Sequence, residues 1–196
     1  MAFPLMNSRQ QFGWVTILIH WLVAVAVFGL FGLGLYMVEL TYYDAWYNEA
    51  PHIHESIGIL VLLAMFFRVA WRLVSPPPVS LPSHRPWEKA GAHVAHFGMY
   101  LLLFAVLVSG YLIPTADGSG VDVFNWFTVP SVTGQQKGLE SVAGDIHYWV
   151  AWGLVILAVI HAIGAIKHHV IDRDETLRRM MGLKARPVIR PRNDSI

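Results

Sequence analysis

The chain has 196 residues, of which 55 % are hydrophobic and only 14 % charged, with a formal net charge of +1. So apolar a composition excludes an ordinary soluble domain, and no nucleic-acid partner is expected. Cysteine is absent, which excludes a disulfide framework and thiolate metal sites.

Four long apolar runs follow one another at residues 14–38, 57–74, 94–113 and 146–167. Each approaches the roughly 20 residues that a helix needs to cross the hydrocarbon core. Strand alternation is missing from all four, and a segment in lipid must close its backbone hydrogen bonds internally. The predicted fold class is therefore an all-α membrane protein, a bundle of four transmembrane helices. The first run is too long for a signal-peptide core and no small-residue cleavage pattern follows it, so it is read as a helix of the mature protein.

The segment before the first helix, residues 1–13, is short and polar. Helix one is rich in aromatics and carries Gly29, Gly32 and Gly34 in its outer half. The loop after it holds Tyr42, Tyr43, Trp46 and Tyr47, which suits an interfacial aromatic belt. Helix two ends at Pro76-Pro77-Pro78, which cannot continue a helix. Helix three ends near Pro114, and the longest loop, residues 114–145, has a turn signal at Asp117-Gly118-Ser119-Gly120. Phe124, Trp126 and Phe127 in that loop are expected to lie against the outer leaflet. Residues 14–182 form the transmembrane domain, and residues 183–196, mixed in Arg, Pro, Asn, Asp and Ser, are expected to be a disordered tail.

Thirteen of the fourteen basic residues flank one side of these spans; only Lys137 lies in a loop on the other. The positive-inside rule then places both termini and the loop 75–89 in the cytoplasm, and the loops 39–53 and 114–145 outside.

Histidine carries the chemistry, with ten in the chain. His147 and His161 are fourteen residues apart on the fourth span. That is roughly 21 Å along one helix and about 40° short of four full turns, so both rings leave nearly the same face. Ionisable residues inside membrane helices are costly and point to function. His20 lies roughly 9 Å in from the cytoplasmic start of helix one, which matches the depth of His161. His54, at the outer start of helix two, matches His147. Two levels, each with one imidazole from helix four, suit two bis-histidine haem sites. Bis-imidazole ligation fills both axial positions of the iron and favours electron transfer over oxygen activation. Without a Cys-x-x-Cys-His motif, any haem is held non-covalently. Zinc would ask for four ligands at each level. Gly58 and Gly164, one turn from His54 and His161, leave room for a flat macrocycle.

Arg68 follows His54 by fourteen residues and projects from nearly the same face at the depth of the inner pair. A haem propionate is its natural partner there; the other reading is a side chain snorkelling to the headgroups. His96 could hydrogen-bond a quinone or a propionate, although a structural or capping role suits both His93 and His96. His52, His84, His168 and His169 read as solvated surface or interface histidines. The outer acids Glu39, Asp44, Glu49, Glu55, Asp117, Asp122, Glu140 and Asp145 read as a solvated face.

Taken together, Ile19-His20-Trp21, His54-Glu55-Ser56-Ile57-Gly58 with Arg68, Gly91-Ala92-His93-Val94-Ala95-His96, His147 with His161, and Asp174-Glu175-Thr176-Leu177-Arg178-Arg179-Met180 resemble the bacterial cytochrome b561 family. The resemblance covers residues 11–182. It implies two non-covalent b haems ligated by His20, His54, His147 and His161, and electron exchange with ubiquinone in the bacterial inner membrane. One branch of that family oxidises superoxide at the outer face. An anionic substrate is drawn to an electropositive funnel, whereas the outer side here sets eight acids against Lys137. A neutral or cationic periplasmic redox partner fits that charge better.

The expected function is thus electron transfer between ubiquinone and a periplasmic-side partner. Three rivals stand beside it: superoxide oxidation, an anchor subunit of a larger oxidoreductase, and a proton-coupled transporter using intramembrane histidines. A transporter would place its histidines at a midplane site, but this midplane is apolar.

Overall fold

The computed structural model describes residues 4–183. Four long helices dominate it: α1 (Trp14–Met37), α2 (Glu49–Val74), α3 (Pro86–Leu112) and α4 (Leu139–Val170). Between α3 and α4 lies a two-stranded antiparallel hairpin, β1 (Val121–Val123) and β2 (Phe127–Val129), and a short helix, α5 (Thr176–Met180), follows α4. All four long helices are long and apolar enough to cross a membrane. The predicted tail lies outside the described residues except for Leu183, as do the first three residues of the predicted N-terminal segment.

Helix boundaries depart from the apolar runs where polar but helix-competent sequence extends them. Helix α4 starts seven residues before the apolar run, after Gly138 at φ 81°, and reaches 32 residues. At 1.5 Å per residue it is about 48 Å long, well beyond a hydrocarbon core of roughly 30 Å. Helix α2 likewise starts at Glu49 and takes Pro51 into its first turn, where proline costs no hydrogen bond. His54 therefore sits more than a turn inside its helix rather than at its start. In α3, Pro86 occupies the first position, and the Glu88 carboxylate accepts the Arg85 N–H at 2.9 Å.

Consecutive helices pack side by side, α3 with α4 most extensively, while α4 closes onto α1 through sparse contacts and α2 faces α4 across the diagonal. The core, Val23, Val61, Met65, Leu103, Val106, Leu107 and Leu154, fills the bundle between the two histidine levels. The midplane is apolar, as expected from the sequence.

One end of the bundle gathers the N-terminal segment, the loop 75–85 and α5. Asn7 ties the first two: its N–H donates to Ser75 Oγ (2.9 Å), its amide to the Ser75 carbonyl (2.8 Å), and its Oδ1 accepts the Gly13 N–H (2.8 Å). Gly13 is required there because the Leu5 and Met6 backbones fold against its α-carbon. The Trp21 indole donates to the Met180 carbonyl at 2.9 Å and fastens α5 to α1.

At the other end the hairpin folds back onto α2, with Phe124 packed inward. Val121 and Val123 are buried with Ile59, and Phe124 packs against this cluster. Trp126 and Phe127 stay exposed. Phe124 and Asn125 turn the chain at φ 50° and 58°, a costly region for a bulky residue. Their N–H groups are held by Ser56 Oγ (3.1 Å) and Asp122 Oδ2 (2.9 Å). Ser56 is fully buried and also donates to the Asp122 carbonyl. Ser56→Ala strands a buried N–H and a carbonyl, and should cost about 1–3 kcal/mol, read as a lower unfolding midpoint with faster proteolysis at the hairpin.

Candidate functional site

The helix registers bring the outer histidines together across the bundle diagonal. The rings of His54 on α2 and His147 on α4 lie with centroids 6.0 Å apart at 72°. His147 Nδ1 donates to the Val106 carbonyl of α3 at 2.9 Å. On the opposite side the Leu30 carbonyl of α1 faces the His54 ring, although its buried Nδ1 closes no regular hydrogen bond. A backbone carbonyl on Nδ1 fixes the proton there and leaves Nε2 free as a ligand.

Each ring is seated against a glycine one turn after that carbonyl. A Cβ on Gly110 would lie 2.8 Å from His147 Cε1 and 2.9 Å from its Nδ1; one on Gly34 would lie 3.4 Å from His54 Cε1. These two seats were not recognised in the sequence, because nothing in the spacing pairs a glycine of one helix with a histidine of the next. The glycines singled out there behave differently: a Cβ on Gly58 or Gly164 would meet no protein atom within 4 Å. Open space beside both is compatible with a flat group next to the rings.

The inner level holds three imidazoles and a guanidinium rather than a simple pair. His161 on α4 packs against His96 on α3, centroids 5.1 Å apart. His20 on α1 meets Arg68 on α2, with Nη2 3.2 Å from Nδ1. Arg68 also lies over the Tyr100 ring at 5.5 Å, and His161, His96 and Arg68 all lie within electrostatic range of His20. The expected residues are gathered, with His96 a full member of the cluster. His93 stays outside it, bonding the Lys89 carbonyl at 2.6 Å in the structural role expected.

Whether these residues fit a haem can be tested on ring geometry. Two collinear metal–nitrogen bonds of roughly 2 Å each, plus the reach from nitrogen to ring centre, separate axial imidazole centroids by about 6 Å. The outer pair has that separation. At the inner level, arginine only donates, so a His20 ring that accepts it at Nδ1 carries its proton on Nε2. That tautomer cannot ligate a metal through Nε2. For His20 to hold a metal, Arg68 would have to turn to another acceptor, and a carboxylate on the bound group would serve.

Residues 11–183 match the family described as prokaryotic cytochrome b561. The chain belongs to that family. It is 48 % identical over 176 residues to cytochrome b561 homolog 2 of Escherichia coli, covering 90 % of this chain and 94 % of the relative. A probable superoxide oxidase CybB of Yersinia pestis is 29 % identical over 181 residues, 90 % of this chain and 98 % of the relative. Cytochrome b562 of Cereibacter sphaeroides is 25 % identical over the same length, with the same two coverages. Membership makes the chain a multi-pass membrane protein of electron transfer and implies b-type haem.

The histidines read as solvated do not all behave so. His84 and His168 face Asp174 at the end of the bundle that carries α5, with side chains 17 % and 18 % exposed. His52 lies edge-on to Phe124. Near the bundle ends, exposed acids are held by local bonds. The Asp44 carboxyl, for example, is kept below its usual range by the Thr41 N–H and then the Thr41 hydroxyl.

Proposed function

We propose that this protein is a di-haem b-type cytochrome of the bacterial inner membrane, carrying single electrons between ubiquinone and a redox partner at the periplasmic face. The observation that carries the reading is the facing pair His54 and His147, 6.0 Å apart, with His147 backed by the Val106 carbonyl. Its companion is the second imidazole cluster fourteen residues along the same face of α4. Haem b held between two imidazoles supplies a one-electron couple with no open position for oxygen.

His54 and His147 would hold the outer group, His20 and His161 the inner one. Backing by Val106 orients His147, and Gly34 and Gly110 let the rings approach their neighbours. The apolar core between the levels keeps water from the midplane. Arg68, inside the bundle and near the inner level, would answer the negative charge of a propionate. Arg68→Met should leave the outer site intact and weaken inner haem retention by about 10–100-fold. Haem titration of the stripped protein, followed by the soret band, measures it. His96, packed on His161, supports a quinone or propionate hydrogen bond at this level.

Orientation follows from charge. The N-terminal segment, the loop 75–85 and α5 meet at one end, and thirteen of fourteen basic residues flank that side of the spans. That charge supports a cytoplasmic position for this end.

The deciding experiment is an oxidised-minus-reduced spectrum of the purified protein with haem quantified per chain. Two low-spin b haems are expected, both reduced by added ubiquinol in vesicles. One haem would mean that a histidine level is misassigned, and a colourless protein expressed with ample haem would overturn the reading.

A second reading, oxidation of superoxide at the outer face, is favoured by the likeness to the relative named a probable superoxide oxidase. The eight outer acids weigh against it. Rapid haem reduction by enzymatically generated superoxide would decide for it.

A further inference from the structure

Two histidines and an aspartate from three separate segments converge at the α5 end of the bundle, apart from both imidazole levels. His84 lies in the loop between α2 and α3, His168 in the last turn of α4, and Asp174 between α4 and α5. Their ligand atoms all lie within 4.8 Å of one another. His84 Nε2 is 2.8 Å and His168 Nδ1 3.4 Å from Asp174 Oδ2. Tetrahedral coordination with bonds of roughly 2.0–2.2 Å separates neighbouring ligand atoms by about 3.3–3.6 Å. The two separations from Asp174 Oδ2, 2.8 and 3.4 Å, are already within about 0.5 Å of that spacing.

Charge points the same way. Lys167 answers two of the nearby carboxylates, Asp172 at 2.6 Å and Glu88 at 3.1 Å. Asp174 is 8 % exposed and faces the two imidazoles without a lysine or arginine ion pair of its own among the described residues. The Thr176 N–H takes its Oδ1 at 2.8 Å and leaves Oδ2 aimed at the histidines. That is an outer-shell bond of the kind that orients a ligating carboxylate. His168 Nδ1 is buried and forms no regular hydrogen bond, although Asp172 Oδ2 is 2.7 Å away.

We propose that His84, His168 and Asp174 form a binding site for a divalent transition ion of the zinc type, with water in the fourth position. Two imidazole nitrogens select this class over magnesium or calcium, which take oxygen ligands. The second acidic group, Glu88 with Asp172, shares His168 but is held by Lys167, so the ion belongs with Asp174. Bound there, it clamps the loop 75–85 to the end of α4 and the start of α5. It also fixes His168, which lies two turns beyond His161 on the same face of α4.

The test uses the untagged full chain with its haem complement, stripped with chelator, then titrated with zinc alone and desalted before metal analysis. One zinc per chain is expected. H84Q and D174N should each bind it at least about tenfold more weakly, whereas H93Q, at a histidine outside the cluster, should bind as the parent does. Unchanged haem spectra would show that the variants are folded. No retained zinc, or equal binding by H84Q and the parent, would overturn the site. Where a variant fails to fold, zinc-edge X-ray absorption of the parent decides. Scattering from two imidazoles supports the site, and a shell of oxygens or of a single imidazole overturns it.

Discussion

His147→Ala is expected to take the haem content from two per chain to one and to abolish passage of electrons between the faces. The lost band should be that of the outer group, because His147 is half of the facing pair with His54. His161→Ala should remove the inner group instead. The two variants should then show complementary difference spectra that together rebuild that of the parent. Quinol added to vesicles should still reduce the inner group in His147→Ala, with reduction of an external acceptor falling to background. The protein should remain folded, since the removed ring makes one hydrogen bond, to Val106, worth about 1 kcal/mol net. A His147→Ala protein that keeps both haems would sink the assignment of the outer level. Loss of both haems from either variant would mean that the two levels are not separate sites.

Gly110→Ala is expected to weaken the outer haem alone, by about 10–100-fold in affinity. An alanine in a helix normally gains up to about 1 kcal/mol over glycine. Here the new methyl would lie 2.8 and 2.9 Å from ring atoms of His147, and such overpacking costs about 1–3 kcal/mol. The backbone of α3 cannot yield, so the ring does, and the hydrogen bond to Val106 breaks with it. Displacement therefore wins over propensity. The apoprotein should unfold somewhat below the parent's midpoint, while haem titration shows the larger loss. Gly34→Ala, where the contact is 3.4 Å, should have a much smaller effect. Gly164→Ala separates two further cases: its Cβ would meet no protein atom within 4 Å. A loss of inner haem there would show that the macrocycle fills that space, and no change would show that lipid does.

How much of this was legible in the sequence follows from what residue spacing can measure. Along a membrane helix, position in the chain converts directly to depth. The four spans and the matching levels of His20 with His161 and His54 with His147 could therefore be read without a structure. The limits of α4 could not. Hydropathy marks the part that needs lipid, while residues 139–145 are helical because nothing breaks them after Gly138. Likewise, alternation too short to signal a strand hid the hairpin, whose place is set by Ser56 on another element.

The sequence by itself determined the class of the molecule, the depth of each imidazole and the chemistry those imidazoles suit. Those properties follow from composition and from rise per residue along a single helix. Only the tertiary structure decided which side chains meet. It set His96 against His161 and Arg68 against His20, seated two rings on Gly34 and Gly110, and drew His84, His168 and Asp174 together. These meetings depend on how each helix is rotated about its axis and how its neighbours pack. That rotation is fixed by the shapes of all four helices at once.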